Sequence, residues 1–177
     1  MSRSAGPVQR SPFVVRAAVE IDIPVLAHHR AAMFRDMGKL ASHKVPGLER
    51  ETATYLAGAL PRGDYLAWVA EDVGAAIIGG AGVQLRPLLP RPRPDSDDLE
   101  LGPEAIVLNV YVEPRWRRHG VADALMRALL SALHARDIRR VVLHASKEGR
   151  RLYERLGFVP TNEMLLSPSI PDSEQGL

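Results

Sequence analysis

Residues 104 to 144 constrain the fold more than any other stretch of this chain. Glu104-Ala-Ile-Val-Leu-Asn-Val-Tyr-Val112 is almost continuously apolar, the pattern of a strand buried on both faces. A short basic loop follows, Glu113-Pro-Arg-Trp-Arg-Arg-His-Gly120, and then an amphipathic helix over 121–136. Its apolar residues fall at 121, 122, 125, 126, 129, 132 and 133, a stripe broad enough to cover a sheet. Arg140-Val-Val-Leu-His144 reads as the next strand. Strand, helix and strand in that order require a parallel crossover, which in practice is right-handed. A loop that passes from a strand into a helix leaves backbone N–H groups free at the helix start, where they can bind an anion. Arg115, Arg117, Arg118 and His119 in that loop indicate an anion that is large and multiply charged.

The remaining pattern supplies a mixed set of elements. Phe13 to Glu20 reads as a first strand, Ile21 to Met37 as a helix stopped at Gly38, and Glu49 to Leu60 as a second helix ended by Pro61-Arg62-Gly63. Tyr65 to Ala70 and Ala75 to Val83 form a hairpin turning near Asp72-Val73-Gly74. Residues 87–103, rich in Pro and Asp, read as a mobile loop that could fold over an active site. A helix over 147–156 closes on Gly157 and Phe158, and Met164-Leu-Leu166 reads as a short last strand. At 177 residues the chain suits one domain, expected over 12–166, with disordered tails at 1–11 and 167–177.

Composition removes several classes of function. The chain has no cysteine, so disulfides, thiolate metal sites and acyl-cysteine chemistry are excluded. Its histidines lack ligand spacing, and no metal is expected. No apolar run is long enough to span a bilayer, and the first eleven residues lack a secretory core, so a cytoplasmic protein without a membrane partner is expected. The basic side is 20 Arg against 3 Lys, yet net charge is only +2 and the cations are interleaved with acids. No basic helix or aromatic platform points to nucleic acid.

The loop carries neither nucleotide-binding glycine pattern, since G-x-G-x-x-G and G-x-x-x-x-G-K-[ST] are both absent. Arg117-x-x-Gly120-x-Ala122 instead resembles the R/Q-x-x-G-x-G/A signature of the GNAT superfamily of acetyl-CoA-dependent N-acetyltransferases. The resemblance extends to Leu108–Val112, His144-Ala-Ser146 and Gly149-Arg-Arg-Leu-Tyr-Glu-Arg-Leu-Gly-Phe158, in the family's order and spacing, and Thr161–Met164 looks like the close of many bacterial members. It covers about residues 104 to 166, the half that binds cofactor. Two departures stand out: Ala122 replaces the last motif glycine, and Asp137 stands where a helix-ending glycine is usual. Asp tolerates the left-handed conformation that such a position needs.

The resemblance implies an α+β sandwich. Its mixed central sheet has about six to seven strands, splayed between the fourth and fifth and flanked by about four helices. It implies that the backbone of Arg117, Arg118, His119, Gly120, Val121 and Ala122 holds the pyrophosphate of coenzyme A. Val110, Tyr111 and Val112 would line the pantetheine arm, with an N–H near Val110 or Tyr111 polarising the thioester carbonyl, and Ser146 joins this set. Tyr153 is the expected general acid; a phenol of pKa about 10 stays protonated and can donate to a leaving thiolate of about 8.5.

The acceptor half is less informative. His29 and Met33 on the first helix and Asn109 on the long strand are the candidate substrate-binding residues, Asn109 and Tyr111 being read as one strand face and Ile106 and Leu108 as the other. His28 and His29 also suit the surface of an amphipathic helix. Asp36, Glu49 and Glu51 suit either helix-terminal charges or a cationic acceptor. Glu104 and Glu113 are the carboxylates near the strand, and neither is assigned as base. An alkyl amine of pKa about 10.4 costs about 4.6 kcal/mol to deprotonate at neutral pH, so some such group is needed. The expected activity is direct acetyl transfer to a small-molecule primary amine, with a homodimer suggested by the family. A protein N-terminal or lysine acetyltransferase and a non-catalytic acyl-CoA sensor remain the alternatives.

Overall fold

The computed structural model describes residues 12–93 and 97–164; the anticipated tails and Leu165–Leu166 of the anticipated last strand lie outside them. Contacts divide the chain into two units, the first ending at His144 and the second beginning at Ala145.

In the first unit, β1 (Phe13–Ala17) leads through a 3-10 turn into α1 (Ile23–Asp36), and a second 3-10 turn leads into α2 (Val45–Arg62). Then come β2 (Tyr65–Asp72), β3 (Ile77–Pro87), β4 (Arg91–Pro92), β5 (Leu99–Glu100) and β6 (Pro103–Val112), followed by α3 (Val121–His134) and β7 (Val141–Leu143). The main sheet has the order β1-β2-β3-β6-β7, and β4 and β5 form a separate two-stranded ladder. All pairings in the main sheet are antiparallel except the crossover pair β6–β7, which is parallel as expected. The anticipated loop over 87–103 is therefore partly ordered: β3 and β6 extend the hairpin to Pro87 and Pro103, and Arg91 pairs with Glu100 inside the small ladder.

Alternation along the strands sends side chains to two helical layers. Tyr65, Ala67 and Val69 pack with Ile23, Leu26, Leu56 and Ala59 of α1 and α2. On the other face α3 presents Val121, Leu125, Met126, Leu129 and Leu133, all fully buried. Burying five such side chains stabilises the fold by roughly 8–15 kcal/mol before entropy is subtracted. The glycines of β3 follow the same alternation. A Cβ on Gly79 would meet Val121 at 3.2 Å and the Tyr111 carbonyl at 2.9 Å; one on Gly80 would meet His29 and Leu26 at 3.1 and 3.3 Å. The two helices thus press on opposite faces of one strand, which only residues without side chains permit.

Turn chemistry is local and agrees with the sequence. Gly38, Gly63 and Gly120 take positive φ at helix boundaries, and Asp137 takes φ +56° where a glycine is usual. Arg16 pairs with the buried Asp22 and with Glu71, tying β1 to the turn before α1.

The second unit contains α4 (Arg150–Arg155), and Gly157 follows it at φ +92°. Met164, expected to begin a last strand, is not in one. The architecture is the anticipated α+β sandwich, with five strands in the main sheet and two outside it.

Candidate functional site

Two features of β6 define the site. The first is its free edge. β7 pairs only with Ala105, Ile106 and Val107, the fifth strand against the fourth. From Leu108 onward that edge of β6 has no strand partner among the described residues, as the family resemblance implied for the fourth and fifth strands. The second is a bulge. Gly82 faces Leu108 and Gly80 faces Tyr111, so Ala81 alone opposes Asn109 and Val110, and Asn109 takes the left-handed φ of +58°. Asn accepts that conformation better than most residues.

The extra residue inverts the strand's parity. Ala105 and Glu113 are an even number of residues apart and in a regular strand would direct their N–H groups to the same side. Ala105 donates to the Arg140 carbonyl, toward β7, whereas Glu113 donates to the Ile78 carbonyl of β3, both at 2.9 Å. Beyond the bulge, Val110 and Val112 consequently turn their backbone polar groups toward the free edge. The Val112 carbonyl, on that side, accepts from Arg117 Nε at 3.0 Å.

β6 runs directly into the basic loop. A 3-10 turn over Pro114–Trp116 is followed by Arg118 at φ +67° and Gly120 at φ +82°, the residue that caps α3. No side chain among the described residues caps this helix. The first-turn N–H groups of α3, around Val121 and Ala122, therefore have no intrahelical partner and carry the positive end of the helix dipole. Arg117 is already engaged: its guanidinium donates to Asp36 at the end of α1 at 2.5 Å and lies 5.6 Å from the Tyr111 ring centre. Its backbone N–H is also engaged, donating to the Pro114 carbonyl at 3.4 Å. His119 Nδ1 lies 2.8 Å from the Arg117 carbonyl, bracing the loop from within.

Beside the bulge lies a cleft of about 320 Å³ between α1, α2 and the sheet. Tyr55, Leu56, Tyr65 and Leu108 give it apolar walls, and Arg30, Glu51, Thr52, Gln84 and Asn109 give it polar groups. Arg30, Asn109 and Tyr65 form a chain: Arg30 Nη1 donates to Asn109 Oδ1 at 2.5 Å, and Asn109 Nδ2 donates to the Tyr65 hydroxyl at 3.0 Å. Burial pushes the Tyr65 phenol up to about 12, against the lowering effect of that hydrogen bond. Gly82 makes room for it, because a Cβ there would fall 1.8 Å from the Tyr65 oxygen.

Of the anticipated acceptor residues, Asn109 lines this cleft and His29 and Met33 do not; of the three carboxylates weighed for a cationic acceptor, Glu51 lines it and Asp36 and Glu49 do not. Leu108 lines it too, so these consecutive residues share a face, contrary to the strict alternation read from the sequence. Tyr111, beyond the bulge, stacks on His29 with ring centres 5.0 Å apart. His29 is 1% exposed and lies under the sheet, with neither ring nitrogen hydrogen-bonded among the described residues and Glu113 3.5 Å from Nε2. Burial, with His28 alongside, lowers its pKa to about 4. Met33 is half-buried on α1, outside the cleft lining. Arg30, Thr52, Tyr55, Tyr65 and Gln84 were not singled out from the sequence. The glycine run in β3 was their one detectable signal, since it marks close approach. Glu104 is fully buried between Arg86 and Arg140 and donates nothing to the cleft; despite the opposing cost of burial, the two guanidinium groups keep its carboxyl below the usual range.

In the second unit, Tyr153 packs edge-on against Phe158, and burial raises its phenol above the usual value. A Cβ on Gly149 would lie 2.9 Å from the Tyr153 ring, and the Gly149 N–H donates to Ser146 Oγ. Gly149 and Ser146 thus shape the turn that seats Tyr153. No group of acidic, histidine or cysteine side chains among the described residues could hold a metal, and no helix among them is long and apolar enough to cross a membrane.

The chain is also similar to known proteins. Among curated proteins none matches. In fold, it is similar to a GCN5-related N-acetyltransferase from Ralstonia eutropha JMP134, at 31% identity over 88% of this chain and 97% of that one, with a TM-score of 0.75. It is also similar to a predicted acetyltransferase from Clostridium acetobutylicum crystallised with acetyl-CoA, at 26% identity over 88% and 95% of the two chains, with a TM-score of 0.74. Residues 63–160 match the model of the acetyltransferase (GNAT) domain, so the chain belongs to the GNAT acetyltransferase family.

Proposed function

We propose that residues 12–166 form an acyltransferase domain that moves an acetyl group from acetyl-CoA to the primary amine of a small molecule, by direct attack in a ternary complex. The observation that carries this reading is the parity switch in β6. It turns the backbone of Val110 and the N–H of Val112 toward an edge with no strand partner among the described residues, which leads to the start of α3, beside a cleft.

These residues suit acetyl-CoA, which supplies an activated thioester when bound. The N–H groups of Arg118 to Ala122 bind the pyrophosphate, aided by the α3 dipole. The free edge at Val110 and Val112 pairs with the amide-bearing arm, as an added strand would. Of the two N–H groups anticipated for the oxyanion, that of Val110 faces the free edge and donates to the carbonyl oxygen as negative charge develops there, whereas that of Tyr111 faces β3. The amine nitrogen forms the new bond to the acyl carbon as the carbon–sulfur bond breaks, the amine's proton passes to solvent, and Tyr153, the donor implied by the family resemblance, is the proposed source of the thiolate's proton. Asn109, held between Arg30 and Tyr65, orients the acceptor. The cleft's walls from α1 and α2 favour a small substrate over an extended polypeptide.

Thiol release from acetyl-CoA, followed across polyamines, amino acids, aminoglycosides, arylalkylamines and short peptides, tests this reading. Release that depends on one class of small amine supports it. Release only with peptides turns the assignment to a macromolecular acceptor, and coenzyme A binding without release overturns catalysis. Tyr153→Phe is expected to lower turnover about 100-fold while leaving coenzyme A affinity within about twofold.

A further inference from the structure

We infer that the acceptor amine carries an anionic group, a carboxylate or a phosphate, and that Arg30 is the residue that selects it. The inference rests on the cleft being the acceptor site and goes further by naming the chemistry of the molecule bound there.

Arg30 comes from α1, half-buried, with its guanidinium 5.0 Å from the Phe34 ring centre and one N–H donated to Asn109. Asn109 is neutral. No carboxylate among the described residues forms an ion pair with Arg30. Its position contrasts with Arg16, Arg86, Arg117 and Arg140, each paired with a carboxylate. The carboxylate in the cleft lining, Glu51, lies 3.2 Å from Arg50. Arg30 therefore brings a full positive charge to an apolar-walled cleft with most of its five donors uncommitted. A guanidinium in that state favours an anion through parallel charge-assisted hydrogen bonds, and the low-dielectric walls strengthen the attraction. Hydrogen bonding to Asn109 fixes its orientation, so the anion is met by a prepositioned fork rather than a mobile chain.

The test compares matched acceptors by acetyl-CoA thiol release. Phenylalanine is set against 2-phenylethylamine for the carboxylate arm, and 2-aminoethyl phosphate against ethanolamine for the phosphate arm. The wild-type protein is expected to prefer the anionic member of one pair by about 10- to 100-fold in kcat/KM. In Arg30→Gln that ratio falls to near one, and in Arg30→Lys it is intermediate, because an ammonium keeps the charge but loses the fork. The pair that shows the preference identifies carboxylate or phosphate. A separate readout needs no turnover: 3-phenylpropionate, which has no amine, is expected to bind the wild-type protein in calorimetry and to bind Arg30→Gln at least tenfold more weakly. Coenzyme A binding checks that each variant is folded. Equal rates within both pairs overturn the inference while leaving the transferase reading intact. A preference that Arg30→Gln leaves unchanged overturns Arg30 as its source. Absence of thiol release with every amine overturns the transferase reading, and 3-phenylpropionate binding that ignores Arg30 overturns the inference alone.

Discussion

The loop at the start of α3 and the cleft under α1 and α2 are both candidate binding regions, yet they are built by different means. The loop is contiguous, 113–122, and offers backbone N–H groups; its side chains are largely exposed or, like Arg117, engaged elsewhere. The cleft draws residues from five elements between positions 30 and 109, and offers side chains whose aim depends on packing. A backbone site tolerates many substitutions, provided that φ angles are satisfied. A side-chain site depends on neighbours that touch no ligand.

Gly82→Ala should separate the two most sharply. The new Cβ, 1.8 Å from the Tyr65 hydroxyl, forces a fully buried ring to move and breaks its bond with Asn109. A loss of about 3 kcal/mol in urea denaturation is expected, with acceptor turnover lost and coenzyme A binding retained in whatever fraction stays folded. Weakened coenzyme A affinity in the folded protein would show that the regions are not separable.

His29 gives an effect of similar size through pH. Its pKa is lowered to about 4 in the fold against 6.5 when unfolded, so the unfolded chain binds the extra proton first. Its cost is absent above about pH 6.5 and grows to about 3 kcal/mol as pH falls to about 4. His29→Gln should flatten the stability profile in that window. Glu104 and Asp22 act lower: both carboxyls are depressed, so what they contribute is present above their ordinary values of 4.5 and 3.8 and is lost as pH falls through the lower folded values. A wild-type profile that stays level from pH 6.5 to 5 would contradict a neutral, buried His29.

Gly120→Ala is the counterpart in the loop. No atom within 4 Å opposes a Cβ there, so only the left-handed φ of +82° resists, at about 1–2 kcal/mol. Coenzyme A affinity should fall while selectivity among acceptors stays unchanged. Asp36→Ala should do least. The Asp36–Arg117 pair spans the two regions but is over one-third exposed on both sides, and thermal unfolding should move by no more than about 0.5 kcal/mol.

What could be read in advance follows the same division. The strand, loop and helix from Glu104 to His134, the parallel crossover to β7, and the left-handed positions at Gly38, Gly63, Asp137 and Gly157 were legible, because each depends on residues close in sequence. The family resemblance lay in the same contiguous half. The acceptor region was read at Asn109 and, as one of two readings, at Glu51; His29 went under the sheet, and Arg30 and Tyr65 went into the cleft. A helix can present either neighbour to a cavity, and the periodicity of α1 did not distinguish residue 29 from residue 30.

The sequence by itself determined the order of elements, the parallel crossover and an exposed helix start after a buried strand, since apolar spacing and turn residues act over a few positions. The tertiary structure decided which side chains meet. One extra residue at Asn109 and Val110 inverted the alternation of β6, put Leu108 and Asn109 on one face, and turned Val110 and Val112 toward the open edge. Strand parity is set by register against a partner, and the register of β6 is a property of its pairing with β3 rather than of its own residues.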